Sequence, residues 1–175
     1  MADTTEVSSN SELVAELTQR GVRQLRAVEA ITQPPSLSTE SLITALARHP
    51  EPRFREALIP LFLRHPTYAE LVPDLVVSLG APADTVLRHM YTAAVYLQRL
   101  WRGTLELYLG DFPLLPDYFG ESDFGLPTPE EHFGEAGLRA LANLFKKRTG
   151  ADWLTVYQSA MSLFLGQLRL NAAYG

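Results

Sequence analysis

The sequence predicts an all-α fold, a single-domain bundle of about six or seven helices with one long irregular acidic loop. Three observations predict it. Apolar residues recur at three- and four-residue spacing through most of the 175 positions, Pro and Gly fall at the ends of those runs, and no stretch carries the alternation of a half-buried strand. At 46% hydrophobic and 20% charged residues the composition is that of an ordinary globular domain. A chain of this length buries about 70% of its unfolded surface in one core.

Met1 to Asn10, rich in Ser, Thr and acids, reads as a disordered leader, and residues 11–175 as one helical domain. From Ser11 the apolar positions Val14, Leu17, Leu25 and Val28, with Gly21 between them, predict a helix to about Ile31. Gln33-Pro34-Pro35-Ser36 breaks it, because consecutive prolines remove amide donors and hold the preceding residue out of the helical region. Leu42, Ile43, Leu46 and Ala47 mark a short helix ending near Arg48-His49-Pro50. Phe54, Ala57, Leu58, Leu61 and Phe62 mark another ending near Arg64-His65-Pro66, a small internal echo at an offset of 16. Thr67 with Glu70 has capping-box spacing and predicts a helix to Leu79, stopped by Gly80; Pro60 and Pro73 kink these helices or mark revised starts.

Pro82 and Asp84 suit the start of a helix running through Val86, Leu87, Met90, Ala94, Leu97, Trp101 and Leu105, expected to be the longest in the chain. Its opposite stripe, Arg88, Thr92, Arg99, Arg102 and Glu106, predicts an amphipathic helix rather than one buried all round. Gly110 to Gly134 holds four prolines, four glycines and no helical period, an unusually long loop of the kind that is often functional or mobile. Leu138, Leu141, Ala142 and Phe145 mark a helix that ends in Lys146-Lys147-Arg148 before Gly150, the basic residues suiting the negative end of the dipole. Asp152 caps the last helix, Trp153 to about Leu170. That helix is apolar on most faces, and so is expected to be central or buried against a partner.

The net charge of −5 is unevenly placed: residues 103–138 carry eight acids and no base, while residues 20–102 carry ten arginines against seven acids. No apolar run approaches the roughly 18 residues that span a bilayer, and Met1 to Ser11 lacks the basic and apolar regions of a secretory signal. With no cysteine there is no disulfide or thiolate chemistry, so a cytoplasmic protein is expected.

Catalytic chemistry finds little support. The four histidines, His49, His65, His89 and His132, show no HExxH spacing, and His49 and His65 are the pair that could converge, at the equivalent ends of the internal echo. A histidine at a helix end also serves simply to meet the last carbonyls. The loop acids Asp111, Asp117, Glu121, Asp123, Glu130 and Glu131, with His132, are of the type a divalent cation or acid–base chemistry uses, but no EF-hand spacing orders them. Nucleotide-binding glycine motifs and the G-x-S-x-G elbow are lacking. Arg20, Arg23, Arg26, Arg53 and Arg55 could meet phosphates, yet overall acidity opposes generic nucleic-acid affinity. No catalytic, cofactor or metal residue is assigned.

The aromatics Phe112, Tyr118, Phe119, Phe124 and Phe133 are interleaved with the loop's acids. Exposed, they make an acidic aromatic docking surface; folded back, they are lids on the core. The candidate partner-binding residues are therefore Phe112, Tyr118, Phe119, Glu121, Asp123 and Phe124 of the loop, with Trp153 and Phe164 of the last helix. The stretch His49-Pro50-Glu51-Pro52-Arg53-Phe54-Arg55-Glu56-Ala57-Leu58 resembles the turn and second-helix start of a HEAT repeat at Pro52, Phe54, Arg55 and Ala57. The likeness covers residues 40–79, and the next turn lacks the arginine. What it implies is protein binding on a helical surface. The expected function is a non-enzymatic binding or regulatory protein that contacts a protein partner or itself. A metal-dependent protein using the acidic loop and a nucleic-acid-associated regulator are the alternatives.

Overall fold

The computed structural model describes residues 9–25 and 36–174, and among them there are helices, turns and loops but no strand. The helices are α1 (Asn10–Gln19), α2 (Thr39–Arg48), α3 (Pro52–Glu56), α4 (Leu58–Arg64), α5 (Val72–Leu79), α6 (Ala83–Leu100), α7 (Arg102–Leu109), α8 (Glu135–Thr149) and α9 (Trp153–Tyr174), with 3-10 turns at Pro66–Leu71 and Glu131–Gly134. They exceed the six or seven expected because the helix expected through Phe54 to Phe62 breaks at Ala57 and the one expected through Val86 to Leu105 breaks at Trp101. Pro52 and Pro73 each occupy a first turn, where the missing N–H costs nothing, and Pro66 opens a 3-10 turn. Thr67 and Glu70 fall inside that turn, which has no side-chain cap, so the capping box does not form.

α1 begins earlier and ends sooner than its periodicity predicts. Ser9 caps it by accepting the Glu12 N–H, and Asn10, placed in the leader by composition, opens the helix and donates to Glu51. It stops at Gln19 instead of near Ile31. Gly21 takes a left-handed φ of +81°, its N–H meets the Thr18 carbonyl, and the Val22 N–H returns to the Leu17 carbonyl at 2.8 Å. This pairing satisfies the orphan carbonyls of the helix end and lets Val22 bury beneath it. Val28, Ile31 and the double proline lie outside the described residues. The buried Glu16 carboxylate fastens the entry to α2: it accepts the Ser36 N–H at 2.6 Å and the Leu37 N–H at 3.1 Å, and pairs with Arg20 at 2.6 Å.

α6 is the axis of the molecule. α4, α5, α8 and the 3-10 turn before α8 all pack on it, and every residue from Tyr91 to Gln98 is buried. The amphipathic stripe predicted for this helix is thus overturned at Thr92, which is fully buried, and Arg99 is largely covered. The reason is the segment 110–130, which roofs the polar side. Nor is α6 the longest helix: it ends at Trp101, whose ψ of 17° turns the chain into α7, while α9 runs 22 residues. Arg102 and Glu106 therefore pair at 2.8 Å within α7. No described helix is long and apolar enough to cross a membrane.

α8 crosses α6 at close range because it is glycine at the contact. A methyl group on Gly134 would lie 2.4 Å from the Tyr96 carbonyl oxygen, and one on Gly137 would lie 2.1 Å from the Tyr96 ring. α9 is capped by Asp152, which accepts the Thr155 N–H, and lays Tyr157, Ala160, Met161, Phe164, Leu165 and Leu168 on the core. It is a peripheral helix with one buried face, not a central one, and from Arg169 to Tyr174 every residue is exposed.

Candidate functional site

The acidic loop is bound down by the side chains of α6. The Tyr91 hydroxyl donates to the Pro116 carbonyl at 2.6 Å and the Tyr96 hydroxyl to the Pro127 carbonyl at 2.9 Å. Gln98 grips the loop from both ends of its amide, accepting the buried Leu115 N–H at 2.7 Å and donating to the Pro113 carbonyl at 3.2 Å. Arg99 reaches the Leu115 carbonyl at 2.9 Å and lies 3.6 Å from the Glu130 carboxylate. Arg88 pairs with Asp123. Four prolines remove backbone donors that would otherwise need partners, and α6 supplies the remaining bonds, so a long loop without helical period holds one conformation. Burial pushes the Tyr91 and Tyr96 hydroxyls upward in pKa, with added effect from the Asp117 carboxylate, so both remain donors at every physiological pH.

Gln98 is the residue whose loss this arrangement feels most. Gln98→Ala leaves the buried Leu115 N–H without an acceptor, a cost of about 1–3 kcal/mol. The expected result is a lower urea midpoint together with faster hydrogen exchange at Leu115, while exchange within α4 keeps its order.

Most of the candidate residues of the loop serve this closure. Phe119 is buried, and Phe112, Tyr118 and Phe124 pack partly buried against the core. Tyr118 stacks on Tyr91 with ring centroids 5.4 Å apart, and Phe124 meets Phe145 edge-on at 5.6 Å. Glu121 is exposed, Asp123 is held by Arg88, and Asp117 accepts the N–H groups of Gly120 and Glu121 as a turn cap. Trp153 is half-buried and Phe164 fully buried, and neither offers a free surface in this chain. The aromatics thus act as lids, with one exception. Phe133 is 79% exposed.

The buried histidine lies elsewhere. His89 on α6 stacks on Phe145 of α8 at 3.6 Å between centroids, meets Trp153 edge-on at 4.5 Å, and shares a 2.5 Å hydrogen bond between Nε2 and the Tyr157 hydroxyl. Burial, with a smaller effect of the Arg148 charge, lowers its pKa to about 3. It is a neutral packing group that ties α6, α8 and α9 together. His49 and His65 are each engaged separately: His49 Nε2 pairs with Asn10, and His65 Nε2 donates to the Arg20 carbonyl at 2.6 Å. Among the described residues no three His, Cys, Asp or Glu side chains are grouped to hold a metal ion. Of the arginines that could meet phosphate, Arg20 is taken by Glu16, Arg53 by Glu51, and Arg55 by the His49 and Pro50 carbonyls; Arg26 lies outside the described residues.

Residues not singled out from the sequence form the second surface. Leu163, Leu170 and Tyr174 of α9 are 58%, 60% and 88% exposed. Spaced at seven and four residues, they share one helix face, with Gly166 between them. They border a groove of about 910 Å³ whose other wall is Arg23 and Gln24. Those two residues are fixed to α9 by the Arg23 N–H on Gln167 and the Gln24 amide on the Ala160 carbonyl. The readable signal was the near-absence of charge: Arg169 is the single ionisable acid or base among residues 153–174 apart from two tyrosines, so this helix has no charged face. Compared with known protein families, with curated proteins and with solved structures, the chain matches none.

Proposed function

We propose that the chain is a non-enzymatic binding protein that acts through protein–protein contacts, a second copy of itself included, made at the outer face of α9. The observation that carries this reading is the row Leu163, Leu170 and Tyr174, more than half exposed on a helix whose one charged side chain is Arg169. Apolar side chains in a row at helical spacing form the kind of patch that marks an interaction surface. Gly166 lies in the middle of that row, where an added methyl would meet no atom of the described residues within 4 Å. It costs about 1 kcal/mol of helix stability relative to alanine, and nothing in the packing of the described residues offsets that. A glycine there allows a partner helix to approach closely. The HEAT-like stretch over residues 40–79, with its implied protein-binding role, supports the same reading.

Trp153 and Phe164 are poor positions for testing it, because they belong to the core. The test is sedimentation velocity over a range of concentrations for the wild type and for Leu163→Glu with Leu170→Glu. The expected result is a concentration-dependent dimer that the double variant abolishes while its helical circular dichroism is kept. A wild type of monomer mass at all concentrations removes self-association, and a double variant that still dimerises moves the contact off α9.

A further inference from the structure

We propose that Phe133 anchors a second docking surface, one that receives a basic, apolar segment of another protein chain. The proposal rests on the reading of the chain as a binding protein and concerns a different face of it.

Phe133 is 79% exposed, whereas the other four aromatics of the loop are partly or fully buried. Leaving such a ring in water forgoes about 2–3 kcal/mol of burial. It is also held on an uncommon backbone. His132 and Phe133 have φ of +48° and +57°, and Gly134 follows at +91°, so three consecutive residues make a left-handed turn. Only the glycine accepts this without cost. What fixes the turn is Gly134, pressed against the Tyr96 carbonyl, with Arg99 beside it. The turn therefore projects the ring outward from a rigid base, and no ring contact of Phe133 is found among the described residues.

The surroundings define the partner. Gly134, next to Phe133, lies against Arg99, and Leu100, which follows Arg99 in the chain, is also more than a third exposed. Flanking Phe133 along the chain stand Glu130, Glu131 and Glu135, all exposed. Glu130 faces Arg99, itself largely covered, Glu135 pairs with Arg139 along α8, and Glu131 makes no ion pair among the described residues. The charges a partner meets first are thus carboxylates. Negative potential around an aromatic anchor selects cationic partners, raising their association rate and setting a salt dependence. An anchor ring inserted between apolar side chains supplies the affinity. A segment with apolar residues on one side and Lys or Arg flanking them meets both requirements. A neutral or acidic segment meets one or neither.

The probe is a fluorescently labelled amphipathic peptide of Leu and Lys, compared with its Leu and Glu counterpart by anisotropy at low and physiological salt. Expected is saturable binding of the Leu/Lys peptide, weakened by salt, and none of the acidic one. Phe133→Asn, whose side chain tolerates the left-handed backbone, lowers affinity at least about tenfold while the melting temperature holds or rises. Glu130→Gln with Glu131→Gln flattens the salt dependence. No binding by the wild type, or equal binding by Phe133→Asn, overturns the proposal. A melting temperature that falls with Phe133→Asn overturns it as well, since the ring then supports the fold. Self-association through α9 is read on the same samples by sedimentation: dimerisation without peptide binding refutes the anchor alone, and absence of both refutes this proposal and the α9 reading together.

Discussion

Gly134→Ala and Gly137→Ala each lower the melting temperature by about 10 °C or more, the largest effects expected of any single methyl group in the protein. Two separate costs meet at Gly134. Its φ of +91° is strained for any side chain, by about 1–2 kcal/mol, and the added carbon would lie 2.4 Å from the Tyr96 carbonyl oxygen, a backbone atom inside a buried stretch of α6. At Gly137 the backbone is helical, and alanine would by itself gain about 1 kcal/mol of propensity. The methyl would however fall 2.1 Å from the Tyr96 ring, which is fully buried and tethered to the Pro127 carbonyl. To clear it, α8 must move off α6 or Tyr96 must release the loop. Gly166→Ala is the internal control: its methyl meets nothing within 4 Å among the described residues, so the monomer gains up to about 1 kcal/mol. Thermal melts of the three variants at one low concentration, where association is absent, compare them directly. Equal melting temperatures for Gly137→Ala and wild type would show that α6 and α8 do not meet as closely as described.

Those glycines mark where the sequence stops being readable. Their neighbours gave the helices through hydrophobic period and capping signals, which is why α2, α6 and α8 start or end close to where the pattern places them. Gly137 looks, in sequence, like a mild flaw in a helix start; its meaning depends on Tyr96, 41 positions earlier, and no local rule reaches that far. The same holds for Thr92 and Arg99. Period assigns them to a wet stripe, and it is the loop from Gly110 that covers them, through bonds to Pro113, Leu115, Pro116 and Pro127 that composition cannot foresee. The loop aromatics were legible as a set but not individually. Exposure separates Phe133 from Phe119, and exposure follows from the left-handed turn that Gly134 permits. In α1 the signal was present and outweighed: Gly21 followed by Val22 is a helix stop, and the apolar residues beyond it gave an apparent continuation.

Stability falls as pH drops below about 6.5, well before carboxylate titration begins, and His89 accounts for most of the fall. Its pKa in the folded chain is about 3 because the ring is buried between Phe145, Trp153 and Tyr157 and the Arg148 charge lies near, whereas the unfolded chain gives it the ordinary 6.5. Below 6.5 the unfolded state therefore binds a proton that the folded state refuses. The contribution is fully present above that pH and is lost as pH falls toward 3, at about 1.4 kcal/mol per pH unit for one group. By about pH 5 the loss from His89 is about 2 kcal/mol. His65 and His49 work in the same direction. Burial lowers His65 despite its bond to the Arg20 carbonyl, aided by the charges of Arg64 and Arg20. Burial likewise lowers His49, where the Glu51 carboxylate opposes it and Arg53 and Arg55 assist. Glu16 adds a second, lower step. Burial alone would raise its pKa, but the Arg20 guanidinium and the Ser36 and Leu37 N–H groups more than offset that, so its contribution is present above about 4.5 and lost below. Urea midpoints measured from about pH 7.5 to pH 4 should trace both steps. His89→Gln keeps a polar partner for Tyr157 and cannot take up a proton, so it should be less stable than wild type at high pH, through lost ring stacking, yet much flatter between pH 6.5 and 5. A variant that keeps the wild-type slope would assign the acid sensitivity to His49 and His65 and leave His89 as packing alone.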